Sequence, residues 1–188
     1  LYDINFNYII SYGKMCTDEY VDCFNINSKK SLEFGSPRWD VLRNINQPKK
    51  STEYIAWIPT YRNSKSFGKN GAGTKFLFDY KFLKFFNQFL YLNNLYCKIK
   101  LHPMENVIID FNYTNIEILE EGVDLNLLLY HSAALITDIS SVMVDYLILN
   151  KPIYLFFPDL EEYISNRGIT ESFKKLIPYS LKNKEEKY

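Results

Sequence analysis

The sequence predicts an α/β fold, a parallel sheet with helices on both faces, on three observations. Short apolar runs at 54–58, 97–101, 116–119, 135–137 and 153–157 are separated by segments with helical spacing of apolar residues, so strand and helix alternate along the chain. The runs are short and mostly apolar, and separated by helices, which is the pattern of a parallel sheet covered on both faces. At 188 residues the chain is long enough for one full domain with a sizeable core and too short for two complete ones. Such a sheet holds ligands at the carboxyl ends of its strands.

Residues 8–13 (Tyr-Ile-Ile-Ser-Tyr-Gly) are a β-like run leading into a helix over 17–24, where Asp18 and Glu19 suit the first turn. The polar stretch 25–31 is a connection, and Leu32-Glu33-Phe34-Gly35 is a second short strand. This predicts a boundary near residue 30, with 1–30 the end of one unit or a linker and 31–188 the main domain. Pro48 and two lysines mark 47–52 as a loop before the strand at 54–58. The next stretch, 63–74, carries Gly68, Gly71 and Gly73 among Ser, Lys and Asn. It contains neither a GxGxxG nor a Walker pattern, so a surface loop is the stronger reading and a lid over a ligand the functional one.

Leu77, Tyr80, Leu83, Phe86, Phe89 and Leu90 predict an amphipathic helix over 76–95 that covers the sheet. Strands at 97–101 and 116–119 follow, then a helix over 125–130, a strand at 135–137, a helix over 142–149 and a strand at 153–157. No internal repeat interrupts this order, and the charged segment 182–187 reads as a solvated tail.

Lys plus Arg and Asp plus Glu both number 22, so the formal charge is zero and no basic field argues for nucleic acid. The 16 Tyr and 14 Phe are scattered without a basic stripe between them, which favours core packing over base stacking. Cys16, Cys23 and Cys97 show neither a CxxC pair nor a zinc-ligand spacing, and their odd number fits a reducing compartment. No apolar run approaches the ~20 residues that span a bilayer, and no signal core follows a basic start. A cytoplasmic location is expected, with membrane association coming only from a missing segment or a partner. The chain opens on Leu1, which suits a piece of something longer or a processed chain.

The stretch 134–141 (Ala-Leu-Ile-Thr-Asp-Ile-Ser-Ser) carries the strongest chemical signal. An apolar run stops at Thr137 and Asp138, and Ser140 and Ser141 then open a helical pattern. A strand feeding a helix N-terminus presents backbone N–H groups and hydroxyl donors to an anion such as phosphate. Ser and Asp are also the ordinary caps of any helix. Asp138 would repel phosphate and is read as capping the helix or organising the Ser pair. Asp145, four residues after Ser141, shares its helix face and either fixes the Ser hydroxyl or pairs with a basic residue.

Further polar motifs stand at the other strand ends. His102-Pro103 follows the strand at 97–101, Pro59-Thr60-Tyr61-Arg62 follows that at 54–58, and Gly35-Ser36-Pro37-Arg38-Trp39-Asp40 precedes both. An imidazole at a strand's carboxyl end can donate to phosphate or move a proton. Arg62 and Arg38 can each offer a forked guanidinium to phosphate or make a structural ion pair. Asn150-Lys151-Pro152-Ile153, then Asp159-Leu160-Glu161-Glu162-Tyr163 and Arg167-Gly168, complete the set. Carboxylates after a strand can accept from ribose hydroxyls, and spacing does not choose among them. Arg167 reads as part of a turn, and His131, with no accompanying motif, as structural. No carboxylate pair suits glycoside hydrolysis, and no metal-ligand cluster is present in the sequence.

In this order the motifs resemble the nucleotide-binding half of the CDP-glycerol glycerophosphotransferase family, the teichoic-acid and capsule polymerases. The resemblance runs from about Gly35 to Pro178 and is densest from Asp124 onward. It implies a Rossmann-like sheet, the C-terminal donor-binding domain of a GT-B-type architecture, with residues 1–30 the tail of the acceptor domain or a linker. The implied reaction transfers polyol phosphate from CDP-glycerol or CDP-ribitol to a polyol-phosphate or lipid-linked glycan acceptor, releasing CMP. The CDP-polyol is a substrate, and no cofactor or metal is called for.

The same resemblance puts His102 in the active site, binding the donor pyrophosphate and stabilising the leaving CMP. Ser140, Ser141, Arg62, Arg38 and Thr137 are the expected pyrophosphate contacts, Asp138 organises them, and Asp159 and Glu162 face the nucleoside and ribose. Family members carry the presumed base in a His-Gly motif of the acceptor domain. No His-Gly occurs here, so the isolated chain is expected to bind donor with little or no transfer. Two alternatives stand: a GT-B glycosyltransferase using an NDP-sugar, and an inert fragment serving as an interaction domain.

Overall fold

Both faces of the central strand are buried, which is why its sequence lacks polar alternation. The computed structural model describes residues 6–46, 54–61, 79–103, 112–175 and 177. Its main sheet contains β3 (Ile55–Ile58), β4 (Cys97–Ile99), β5 (Ile116–Ile118), β6 (Ala134–Thr137) and β7 (Ile153–Leu155). Along β3, Tyr54 and Ala56 join a core with Leu42, Leu128, Leu129, Leu135, Val142 and Tyr146. Trp57, with its side chain on the other face, joins Leu83, Leu90, Cys97, Ile99 and Ile116. The expected strands at 54–58, 97–101, 116–119, 135–137 and 153–157 are all present within two residues of their expected ends.

The strand order is β5-β4-β3-β6-β7 and every neighbouring pair is parallel. Ile55 is level with Cys97 on one side and Ala134 on the other, so β3 is the centre of the sheet. The chain steps outward from β3 to β5, then returns to place β6 on the other flank of β3. The seam between β3 and β6 is therefore the topological switch point, where open parallel sheets bind ligands.

Helices cover the two faces. The helix expected over 76–95 is α3 (Tyr80–Leu92), given after α1 (Lys14–Phe24) and α2 (Pro37–Arg43) in chain order. The Asp79 carboxylate accepts from the Lys81 N–H at 2.9 Å and sets the start of α3; Leu83 and Leu90, two turns apart, are its buried stripe. Phe86 of α3 meets the Trp57 ring edge-on at 5.5 Å. On the opposite face lie α2, α4 (Leu125–His131) and α5 (Val142–Tyr146). The helix expected over 142–149 is α5 for five residues and then a 3-10 turn, Leu147–Leu149. Asn150 follows with a left-handed backbone, and the Lys151 ammonium donates to the Ser132 carbonyl at 2.6 Å beyond the end of α4.

Helices α2, α6 (Leu160–Arg167) and α7 (Glu171–Lys174) were not foreseen from periodicity. Ser36 caps α2 and Pro37 occupies its first turn, a start signal that needs no apolar repeat. Arg167, expected in a turn, is the last residue of α6, which Gly168 terminates with a φ of 68°.

Toward the N-terminus, β1 (Ile9–Ile10) pairs in parallel with β2 (Ser31–Leu32), and α1 lies between them in sequence. Thr17 of α1 bonds the hydroxyls of Ser11 (2.8 Å) and Ser31 (2.9 Å). Residue 30 lies between α1 and β2. No helix among the described residues is long and apolar enough to cross a membrane. The loops at 47–52 and 63–74, Arg62, and the tail at 182–187 lie outside the described residues.

Candidate functional site

At the switch point the ends of β3 and β6 are bonded to each other by side chains. Thr137, the last residue of β6, donates its hydroxyl to the Ile58 carbonyl at 2.7 Å. One residue on, Asp138 is 4% exposed and its carboxylate accepts from the Thr60 N–H at 2.9 Å and from the Thr60 hydroxyl. That hydroxyl also lies 3.0 Å from the Ile139 carbonyl. Pro59 has no N–H and cannot extend the ladder, so the chain leaves the sheet here and Asp138 catches it at Thr60.

These bonds shape the turn that follows. The Ser140 N–H donates to the Asp138 carbonyl at 2.9 Å, and the Ser140 hydroxyl accepts from the Val142 N–H at 3.4 Å, a long cap bond. Ser141 is exposed and Ser140 half-buried beside it. Because α5 has only five residues, its dipole is small, and anion binding here must rest on hydroxyls and local N–H groups.

His102 is exposed at the carboxyl end of β4, next to β3, and its ring lies 4.9 Å from that of Tyr61. On the far side of β6, Asp159 precedes α6 and Glu162 lies in its first turn, both half-buried. The ends of β4, β3, β6 and β7 therefore carry His102, Thr60 with Tyr61, the Ser140/Ser141 turn, and Asp159 in spatial order. A row of donors flanked by carboxylates at strand ends suits a phosphate-bearing ligand with a polar nucleoside.

Two of the expected contacts have partners within the protein. Thr137 is 1% exposed and its hydroxyl is used by β3, so it links the two strands. Arg38 pairs with Asp145, Nη1 to Oδ2 at 3.2 Å, while Nη2 donates to the Tyr12 hydroxyl at 3.1 Å. Burial raises the Asp145 carboxyl above its ordinary range; Arg38 and the nearby Trp39 indole pull it back without cancelling the effect. Of the two roles open to Asp145, pairing with a base is the one observed. Arg62 lies outside the described residues. Sequence reasoning missed Thr60, whose signal was its place directly after Pro59 at a strand end.

The family model for CDP-glycerol:poly(glycerophosphate) glycerophosphotransferase matches residues 2–187. The chain belongs to this family. Teichoic acid ribitol-phosphate primase of Bacillus spizizenii is 25% identical over 190 residues, covering 93% of this chain and 47% of the primase. Teichoic acid poly(glycerol phosphate) polymerase of Staphylococcus epidermidis is 29% identical over 209 residues, covering 94% of this chain and 27% of the polymerase. The solved wall teichoic acid polymerase TagF superposes with a TM-score of 0.63 at 26% identity, covering 89% of this chain and 43% of TagF. The chain thus has the α/β fold of this GT-B-type relative and spans about half of its relatives' length or less.

Proposed function

We propose that this chain is the donor-binding part of a CDP-glycerol or CDP-ribitol polyol-phosphate transferase acting on a growing teichoic acid or capsule polymer. The observation that carries this is the Thr60/Asp138 junction at the switch point, which sets the Ser140/Ser141 turn between His102 on one side and Asp159 on the other. Family membership supplies the class of donor. In this reading Ser140, Ser141 and Arg62 hold the pyrophosphate and Asp138 holds the turn. His102 stabilises the phosphate that leaves with CMP, and Asp159 or Glu162 accepts from ribose.

In the transfer, an acceptor hydroxyl attacks the β-phosphorus of the CDP-polyol, the bond to the CMP oxygen breaks, and the proton passes to a base outside this chain. Catalysis by the residues present is positioning and charge stabilisation. The β1-α1-β2 unit is assigned to the end of the acceptor-side domain, which moves the proposed division from residue 30 to just after β2. Three free thiols fit a cytoplasmic site of action, at or near the membrane face.

Calorimetric titration with CDP-glycerol, CDP-ribitol, CMP and UDP-glucose tests the reading, with His102→Ala and Ser140→Ala/Ser141→Ala as variants. Selective cytidine binding, weakened in both variants, is expected. Preference for UDP-glucose would make the chain part of a sugar transferase, and binding of none would leave an interaction domain.

A further inference from the structure

Arg38 lies where the β1-α1-β2 unit meets the helical face of the main sheet. Its helix, α2, starts directly after that unit, and Leu42 of α2 is buried against Val142 and Tyr146 of α5. Tyr12, one residue beyond the β1 neighbour Ser11, stacks on Trp39 at 5.8 Å, and Gly35 turns the chain with a φ of 79°. A Cβ at Gly35 would sit 2.8 Å from the Trp39 ring, so the turn is closed tightly on that indole.

The Asp145 carboxylate is 7% exposed, and its Oδ1 has no hydrogen-bond partner. An ionised carboxylate in such a place is costly unless a cation faces it, and Arg38 supplies that cation. Asp145 is also one turn from the donor turn, with its N–H directed to the Ser141 carbonyl at 3.4 Å. The Val144 N–H reaches the same carbonyl at 3.0 Å, so the Ser141 end of this five-residue helix is held by Asp145 and its immediate neighbour.

We propose that Arg38 is a positioning residue that couples the β1-α1-β2 unit to the Ser140/Ser141 turn, holding Tyr12 with one end of its guanidinium and the buried Asp145 with the other. The donor turn is then set in part by how the N-terminal unit sits. The ligand consequence rests on the donor-binding reading, whereas the coupling itself does not.

Hydrogen exchange at the amides of 140–146 and calorimetry with CDP-glycerol, both on the full chain, test this in Arg38→Ala, Arg38→Lys, Asp145→Asn, Tyr12→Phe and Arg38→Ala/Asp145→Asn. Arg38→Ala is expected to speed exchange in 140–146 and weaken CDP-glycerol about tenfold, the usual size of a transmitted effect. Adding Asp145→Asn to Arg38→Ala should reverse most of both changes, because a neutral amide needs no cation. Arg38→Lys should retain part of the coupling, and Tyr12→Phe should give a smaller shift in the same direction, which keeps the test alive if Arg38→Ala does not fold.

Weakened binding in Arg38→Ala with unchanged exchange and no rescue by Asp145→Asn would make Arg38 a ligand contact and overturn the proposal. Unchanged exchange and unchanged binding would overturn it too. If the unaltered chain binds no CDP-glycerol, the donor reading fails. The exchange arm then still decides the coupling, with faster exchange in Arg38→Ala supporting it and unchanged exchange ending it.

Discussion

Thr60 and Asp138 hold together the two strand ends between which the proposed donor site lies. The Asp138 carboxylate, 4% exposed, accepts from the Thr60 N–H at 2.9 Å and from its hydroxyl, so a buried charge is met by two donors from a single residue. These two bonds fix the distance between the loop after β3 and the turn after β6.

Replacing Asp138 with Ala leaves both Thr60 donors without that acceptor. The expected loss is about 1–3 kcal/mol of folding stability, chiefly from the half-buried Thr60 N–H, since the hydroxyl keeps the Ile139 carbonyl. Urea denaturation reads it, and Thr60→Val, which keeps the N–H bond, should lose less. Donor affinity should fall in both variants in the same order. An unchanged urea midpoint in Asp138→Ala would show that the junction is not held by this carboxylate.

His102 should behave in the opposite way. It is exposed with its ring against that of Tyr61, so His102→Ala is expected to stay within about 0.5 kcal/mol of the parent in urea. Its CDP-glycerol affinity should nevertheless drop, and Tyr61→Ala should drop it less. A variant that loses stability and affinity together would make His102 a packing residue.

Where the sequence was legible, the physics was local. Tyr54, Ala56 and Trp57 read as strand because they are apolar on both faces, and Leu83 and Leu90 read as helix because they repeat on one face. The ends of those strands then located His102 and the Ser140/Ser141 turn. Arg38 was not legible, because its partners are distant in sequence: Tyr12 lies 26 residues before it and Asp145 stands on a helix packed against its own. The role of Thr137 was hidden for the same reason, since its hydroxyl acceptor, Ile58, is 79 residues away. Spacing along a chain says which end of a strand a side chain occupies and not which neighbour claims it.

Asp145 gives a pH signature. Burial raises its folded-state carboxyl above the ordinary range of about 4, so this group favours the fold most when protonated, below its unfolded pKa. That contribution is lost as pH rises through the raised folded value. Relative to Asp145→Asn, whose residue 145 does not titrate, the parent chain should therefore gain stability as pH falls from neutral through the raised value toward about 4. Urea midpoints across this window measure it. A difference that is flat with pH would mean that Arg38 cancels the burial effect.

The three thiols should report on the strand that carries His102. Cys23 is exposed on α1, Cys16 half-buried and Cys97 buried in β4. Burial pushes the Cys97 thiol far above its ordinary range, and the thiolate is the reactive form, so both access and chemistry protect it. Maleimide should label Cys23 first, Cys16 more slowly, and Cys97 only as β4 opens between β3 and β5. Because His102 follows β4 directly, a ligand that bridges His102 and the Ser140/Ser141 turn binds the closed sheet and not the opened one. Saturating CDP-glycerol should then slow Cys97 labelling by the factor 1 + [L]/Kd while leaving Cys23 unchanged. Labelling of Cys97 at the Cys23 rate would show that β4 opens freely, and slowing without any dependence on His102 would place the ligand away from this strand.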